Sequence, residues 1–213
     1  LRYRRIEALN AIFWKDQPIV NKDINMTIIA MQDVNPGVKD SRRFNMIKEW
    51  ILNNFTDVNI YGKWDDYYTK GYSQFRGLLH YKDLDEVMAR TKYTFIIGIG
   101  SDWSTGKWAE CLTSDVIPFV APDYDTQYNA IPEDSYIRVK TKSELLYKIN
   151  ELNKEDSKRL NLLNDLKAQL LKDVYNGVFL YKELNKALSP IGLSISESQI
   201  SQTPKIPKSI SLF

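Results

Sequence analysis

Short apolar runs rich in β-branched residues recur along the chain and alternate with segments of helical periodicity. This alternation constrains the fold more than any other feature. The runs lie at residues 26–31, 58–62, 75–79, 93–98, 116–120 and 136–139. Runs of about four to eight such residues between turn signals are typical of buried strands. Because strands that alternate with helices pair in parallel beneath those helices, the sequence predicts an α/β fold with a mostly parallel sheet.

Helical segments separate the runs and set the predicted organisation. Ser41 is expected to cap a helix to about Asn53, and further helices are expected at 83–90, from Ser104 or Thr105 to Thr113, and at 142–152. Pro118 indicates an end position or an edge strand. The predicted units are a lead-in or interdomain connector at 1–24, an α/β domain at 25–153, a helical segment at 154–188 with a break near Gly177, and an extended tail at 189–213.

Composition excludes several classes of protein. The formal net charge of +2 provides no global positive field, so any contact with DNA needs a local patch. The single cysteine, Cys111, offers neither an intrachain disulfide nor a metal cluster, which favours a reducing compartment. No apolar run reaches the ~20 residues that cross a bilayer, and the first residues lack the apolar stretch of a signal peptide. We expect a soluble protein without a membrane partner.

Ligands of open α/β sheets bind at the carboxyl ends of the strands, where loops lead into helix N-termini. The first such loop, 32–43, carries Gly37, Lys39 and Arg43 around a helix start. Free amide groups, the helix dipole and a guanidinium there favour a phosphate. A solvated basic turn is the alternative.

A second loop, 98–107, is rich in glycine and hydroxyl groups, includes Ser104 and leads into a helix. Its glycine spacing matches neither a Walker A motif nor a dinucleotide fingerprint. Lys107 and Glu110 are three residues apart, so they share a helix face on which a cation can meet phosphate and a carboxylate can accept two ribose hydroxyls. An ordinary surface ion pair is the alternative.

A third loop surrounds Gly77, where the backbone can approach a flat base closely. His80, the one histidine, is a weak candidate for proton transfer, and a structural role is the alternative. Asp65 and Asp66 are adjacent and would face opposite sides of a strand. No nucleophile–base pair emerges, so the catalytic residues stay unassigned and no metal site is indicated.

Six segments, in this order and spacing, resemble the C-terminal domain of phage DNA β-glucosyltransferases over about residues 25–175. They are Val58–Gly62, Phe75–Gly77, Lys107–Glu110, Ser114–Phe119, Asp123–Thr126 and Ser143–Leu152. The resemblance implies the GT-B architecture, in which two Rossmann-like domains face a cleft and the C-terminal one holds a UDP-sugar. Residues 25–153 would be that nucleotide-sugar-binding domain.

The resemblance also implies site residues by position. Glu110 would accept the ribose hydroxyls, and Arg43 would contact the diphosphate. Lys107 replaces an arginine of the family motif and Lys39 lies where another is expected, so charge is kept and bidentate geometry is lost. Main-chain groups of Gly77 and Leu78 would meet the uracil, and Ser104 completes the predicted nucleotide-binding set.

The function implied is transfer of a hexose, with glucose as the expected sugar, from a UDP-sugar to a modified base in phage DNA, in the host cytoplasm. No tightly bound cofactor is expected, and a divalent metal is possible but not indicated. The family's catalytic base and most of its DNA-binding surface lie in an N-terminal domain, whereas 24 residues precede the first predicted strand here and the sequence starts without methionine. We therefore expect half an enzyme, a piece of a longer polypeptide. The alternatives are a structural or interaction module of a larger phage protein, or a glycosyltransferase with a protein or glycan acceptor.

Overall fold

Five parallel strands form the centre of the molecule. A computed structural model of the chain describes residues 21–35, 37–98, 107–124, 131–170, 185–186 and 188–194. The strands are β1 (Ile24–Ile29), β2 (Val58–Tyr61), β3 (Phe75–Gly77), β4 (Thr91–Ile96) and β5 (Ile117–Val120). Their order in the sheet is β3-β2-β1-β4-β5, and every neighbouring pair is parallel. The predicted fold class, a Rossmann-like parallel sheet with flanking helices, is confirmed.

Helices cover the sheet, as its buried strands require. They are α1 (Arg42–Met46), which continues into a π-helix (Ile47–Leu52), α2 (Asp66–Thr69), α3 (Tyr81–Arg90), α4 (Lys107–Thr113), α5 (Lys142–Lys154) and α6 (Asp156–Leu170). Side chains of the central strands such as Met26, Ile28, Tyr93 and Phe95 are at most 2% exposed. Apolar residues on both sheet faces explain why these strands are continuous hydrophobic runs.

The helix predicted from Ser41 to Asn53 is only partly regular. Ser41 caps it as predicted, because its Oγ accepts from the amide of Phe44 at 3.0 Å. From Ile47 the helix widens into a π-helix, and the Asn53 amide donates to the Lys48 carbonyl five residues earlier. The wider turn accompanies full burial of Ile47 and Ile51. The predicted helix and its cap are confirmed, and the π-helical winding after Met46 is the feature that the sequence did not indicate.

Other differences concern short elements. The sixth strand predicted at 136–139 is only a single parallel bridge between Val120 and Arg138, because a hydrogen bond from the Arg138 amide to the Ser135 carbonyl closes a turn over the two residues before the bridge. β5 is therefore the last strand of the sheet, and Pro118 lies in an edge strand as predicted. Asp65 and Asp66 begin the short helix α2 and do not lie in a strand.

The C-terminal helix α6 packs Leu163, Leu166 and Leu170 into the core, in contact with α4 and α5. The predicted tail begins with a 3₁₀ turn at Ser189–Ile191, which ends at Gly192 in the left-handed conformation, so the expectation of extended chain is wrong at this point. Gly177 and residues 195–213 lie outside the described residues, and the division into domains remains a prediction. Among the described helices, none has both the length and the apolar character that crossing a membrane requires.

Candidate functional site

The carboxyl ends of all five strands border one cavity of about 560 Å³. Its walls come from the residues at or beyond the end of each strand and from the helices that follow. They are Ile29, Ala30 and Met31; Tyr61, Gly62 and Lys63; Leu78 and Leu79; Thr94 to Gly98; Tyr124; and the helical residues Arg43, Lys107 and Glu110.

The cavity lies at the point where the strand order reverses. The chain proceeds outward from β1 through β2 to β3, and outward in the other direction from β4 to β5. A crevice therefore forms between the carboxyl ends of β1 and β4. This is the topological switch point at which open α/β sheets bind their ligands.

Arg43 spans this crevice from the first turn of α1. Its side chain donates from Nη1 to the Met31 carbonyl at 2.7 Å and from Nη2 to the Ile97 carbonyl at 2.9 Å, so one guanidinium joins the ends of β1 and β4. The residue is 6% exposed, and its buried Nε has no hydrogen-bond partner in the described part of the chain. Burial lowers the pKa of the guanidinium, and nearby Asp33 opposes that shift. An arginine nevertheless stays charged, so a buried positive charge faces the cavity.

Lys107 brings a second, half-buried cation. Its Nζ donates to the Ile29 carbonyl at 2.6 Å, again at the end of β1. Burial lowers the pKa of this ammonium below its usual value, and nearby Cys111 and Glu110 offset only part of that shift. A cation held among apolar groups attracts an incoming anion more strongly than one in bulk water.

Glu110 lies one turn further along α4 and is exposed at the cavity wall. Lys107 and Glu110 both line the cavity, so the structure brings together the pair that helical spacing predicted. A cation and a carboxylate on one wall can accommodate a phosphate and a neighbouring diol. Arg43 and Leu78 are the other predicted residues that reach the cavity.

The predicted helix N-terminal phosphate site is not formed at α1. The Arg43 amide donates to Asp33 Oδ2 at 3.0 Å, and the Phe44 amide donates to the Ser41 hydroxyl. Ser41 Oγ in turn donates to the other oxygen of Asp33. Because these donors are engaged and a carboxylate occupies the helix start, the expectation of free amides for a phosphate is wrong, and the Arg43 side chain is what remains of that loop's site.

Several predicted residues lie away from the cavity wall. The Gly37 amide donates to Asp65 at 3.0 Å, and the Lys39 ammonium lies 5.4 Å from the centre of the Tyr67 ring. Gly77 ends β3 with a φ of +75° and does not line the cavity, although the next residue, Leu78, does. His80 is the exposed residue before α3 and does not line it. Ser104 lies outside the described residues.

Residues that the sequence did not indicate complete the walls. Gly62 approaches the next strand so closely that a Cβ atom would lie 1.9 Å from the Ala30 carbonyl oxygen. Lys63 follows it as an exposed cation at the end of β2. The signal available in the sequence was the position of both residues directly after a predicted strand.

An ion pair between Arg42 and Asp123 stabilises the side of the cavity next to β4 and β5. Arg42 also donates to the Gly98 carbonyl at 3.2 Å, so it joins the segments that follow β4 and β5. The chain neighbours of the pair, Arg43 and Tyr124, both line the cavity. The pair therefore positions two walls relative to each other.

No cluster of three or more histidine, cysteine, aspartate or glutamate side chains in the described ranges could hold a metal ion. Glu110 is the one carboxylate among the described residues that line the cavity. The described walls thus offer cations and one carboxylate, without a set of metal ligands.

No protein-family model matches the sequence, and no curated protein sequence does. Solved structures do match. A DNA-modifying β-glucosyltransferase, solved with and without its substrate uridine diphosphoglucose, is 16% identical with a TM-score of 0.60 over 81% of this chain. T4 phage β-glucosyltransferase in complex with UDP-glucose is 18% identical with a TM-score of 0.58, and the same enzyme with UDP and Mn²⁺ is 17% identical with a TM-score of 0.59, each over 80% of this chain.

The chain spans about half the length of these structures, which it covers to 53%, 50% and 50%. Identities this low establish the fold alone, and at that level the predicted resemblance is confirmed. The chain is a Rossmann-like α/β unit with the architecture of the matched part of GT-B DNA glucosyltransferases.

Proposed function

We propose that this chain is the donor-binding part of a glycosyltransferase and that the cavity at the switch point holds a UDP-sugar. The observation that carries the proposal is the convergence of Arg43, Lys107 and Glu110 on one cavity. The similar structures that contain UDP-glucose or UDP support the choice of nucleotide.

The chemistry of the three side chains fits the parts of such a donor. Arg43 and Lys107 offset the negative charge of the diphosphate in the bound donor. They also stabilise the negative charge of the diphosphate when it departs as the leaving group. Both cations are already held by strand carbonyls, so little side-chain freedom is lost on binding. Glu110 accepts hydrogen bonds from the two ribose hydroxyls.

Activation of the acceptor hydroxyl requires a side chain that the described cavity walls do not provide. A general base must come within hydrogen-bond distance of the hydroxyl that attacks the sugar. Glu110, the one carboxylate on the described walls, is assigned to the ribose. We therefore propose that the base, and the surface that binds a modified base in phage DNA, belong to a second part that these residues do not include.

Binding of the donor tests the proposal directly. Titration calorimetry with UDP and UDP-glucose is expected to show saturable binding, and Glu110→Ala is expected to weaken it by about 1.5 to 3 kcal/mol, roughly tenfold or more, because a charge-assisted acceptor is lost. Glu86→Ala removes an exposed carboxylate of α3 outside the cavity and serves as the control. Absence of saturable binding by the unmodified chain at millimolar UDP would refute the donor site.

A second candidate function is a structural or interaction module with an unused sugar site. The observation that favours it is that Arg43 and Lys107 already bind strand carbonyls, a role they can keep without any ligand. Radiolabelled UDP-glucose and hydroxymethylated DNA distinguish the two functions. We expect no transfer by the 213-residue chain alone and transfer by a longer polypeptide that includes upstream sequence. Transfer by neither, together with absent UDP binding, would support the structural module.

A further inference from the structure

The cavity has two halves with different chemistry. Over β1 and β4 lie Arg43, Lys107 and Glu110, whereas over β2 and β3 lie Tyr61, Lys63, Leu78 and Leu79. Neighbouring strands are ~4.8 Å apart, so the centres of the two halves are roughly 10 Å apart across the sheet. This separation is comparable to the distance between the diphosphate and the base of an extended nucleotide.

The β2–β3 half suits a flat ring. Leu78 is 69% exposed beside the partly exposed Tyr61, so apolar surface is available to cover the face of a base. Backbone pairing holds this wall in place, because the Gly62 amide donates to the Gly77 carbonyl at 2.8 Å and the Gln32 amide to the Lys63 carbonyl at 3.2 Å. The wall contains one charged side chain, that of Lys63.

Lys63 differs from the other two cations of the cavity. Arg43 is buried, Lys107 is half-buried, and both donate to backbone carbonyls at the strand ends. The Lys63 ammonium is exposed and makes no hydrogen bond or ion pair with the described part of the chain. Its three donors are therefore available to a ligand.

We propose that Lys63 determines the choice of base, by donating a hydrogen bond to the ring carbonyl O4 of a uracil packed against Leu78 and Tyr61. Cytosine carries an amino donor at the same position, so the ammonium would face a donor and the bond would be lost. This inference rests on the proposed donor site and adds its specificity: a uridine nucleotide is selected over a cytidine nucleotide by one side chain at the end of β2.

Calorimetric titrations of UDP and CDP test the assignment. The unmodified chain is expected to bind UDP about tenfold more tightly than CDP. Lys63→Met keeps the apolar stem and should weaken UDP binding about five- to tenfold while changing CDP binding less than about twofold. Lys63→Glu provides an acceptor for the cytosine amino group and should reverse the preference. Lys70→Met removes an exposed ammonium outside the cavity and should change neither.

UMP distinguishes contact with the base from contact with phosphate. Loss of affinity by the same factor for UMP and UDP in Lys63→Met supports the base. A loss that is larger for UDP than for UMP and shrinks with added salt would overturn the assignment, as would equal losses for UDP and CDP. Unchanged melting temperatures of the variants show that the fold is intact. Absence of UDP binding by the unmodified chain would refute the donor site itself, whereas normal binding that Lys63→Met leaves unaltered would refute this inference alone.

Discussion

Replacing Arg43 by methionine separates its role in the fold from its role in ligand binding. The side chain is 6% exposed, and its two terminal nitrogens bind the Met31 and Ile97 carbonyls at 2.7 and 2.9 Å. These bonds join the ends of β1 and β4 without any nucleotide. The Arg43→Met protein should therefore lose stability even in the absence of ligand.

The size of the stability loss follows from the two hydrogen bonds that Arg43 makes and from its one unpaired donor, Nε. A hydrogen bond with a charged partner contributes about 1.5 to 3 kcal/mol, so two bonds contribute roughly 3 to 6 kcal/mol. Burying Nε without a partner costs about 1 to 3 kcal/mol, and methionine removes that cost. Taking the low ends together and the high ends together, the expected net loss is about 2 to 3 kcal/mol. At roughly 2 to 4 °C per kcal/mol for a chain of this size, the melting temperature should fall by about 4 to 12 °C.

Thermal unfolding followed by circular dichroism measures this loss. Arg43→Lys should lie between the two proteins, because a lysine keeps the charge but lacks the fork that reaches both strands. Arg76→Met is the matched control, since Arg76 is exposed and donates only to Asn59 on the neighbouring strand; its effect should stay within about 0.5 kcal/mol. An Arg43→Met protein that melts within about 2 °C of the unmodified chain would refute the reasoning. Ligand binding would then be the one remaining role proposed for Arg43.

Two further predictions concern positions next to the strand ends. Gly62→Ala should destabilise the protein by about 2 to 4 kcal/mol in urea unfolding, because the new Cβ would lie 1.9 Å from the Ala30 carbonyl oxygen at a φ of +145°; Gly71→Ala, at φ +88° with nothing within 4 Å, should cost only about 1 to 2 kcal/mol, and equal losses would contradict the argument. Burial lowers the pKa of Lys22 from 10.5 to about 8. Between those values the unfolded chain binds more protons at this group than the folded chain, so its contribution to the free energy of unfolding rises with pH. The difference in unfolding free energy between the unmodified chain and Lys22→Met should therefore change in favour of the unmodified chain from pH 7 to pH 10, and a constant difference would contradict the assignment.

Local pattern was sufficient for part of the site. The three-residue spacing of Lys107 and Glu110 put both on one helix face, and the position of Arg43 after β1 put it at the carboxyl edge of the sheet. Neither conclusion depends on distant residues, because helical periodicity and the strand–loop–helix order are properties of the sequence.

The features of the site that the sequence did not indicate depend on contacts between residues distant in the chain. Asp33 occupies the start of α1 because its loop folds back by eight to ten residues to meet Ser41 and the Arg43 amide, and no periodicity indicates such a return. Lys63 lies in the cavity because β2 pairs between β1 and β3, a pairing that its own neighbours in sequence do not specify. Both positions required knowledge of what lies across the sheet.

The sequence by itself determined the element types and the parallel α/β class, since apolar period and turn residues act over a few neighbours. It also determined which helix and which loop carry the charges that line the cavity. Only the tertiary structure decided the strand order and therefore the crevice between β1 and β4, the use of Arg43 and Lys107 to hold strand ends together, and the separation of the cavity into a cationic half and an apolar half. The physical reason is that strand pairing and burial join residues tens of positions apart, and the free energy of those contacts depends on the whole sheet and not on any one segment.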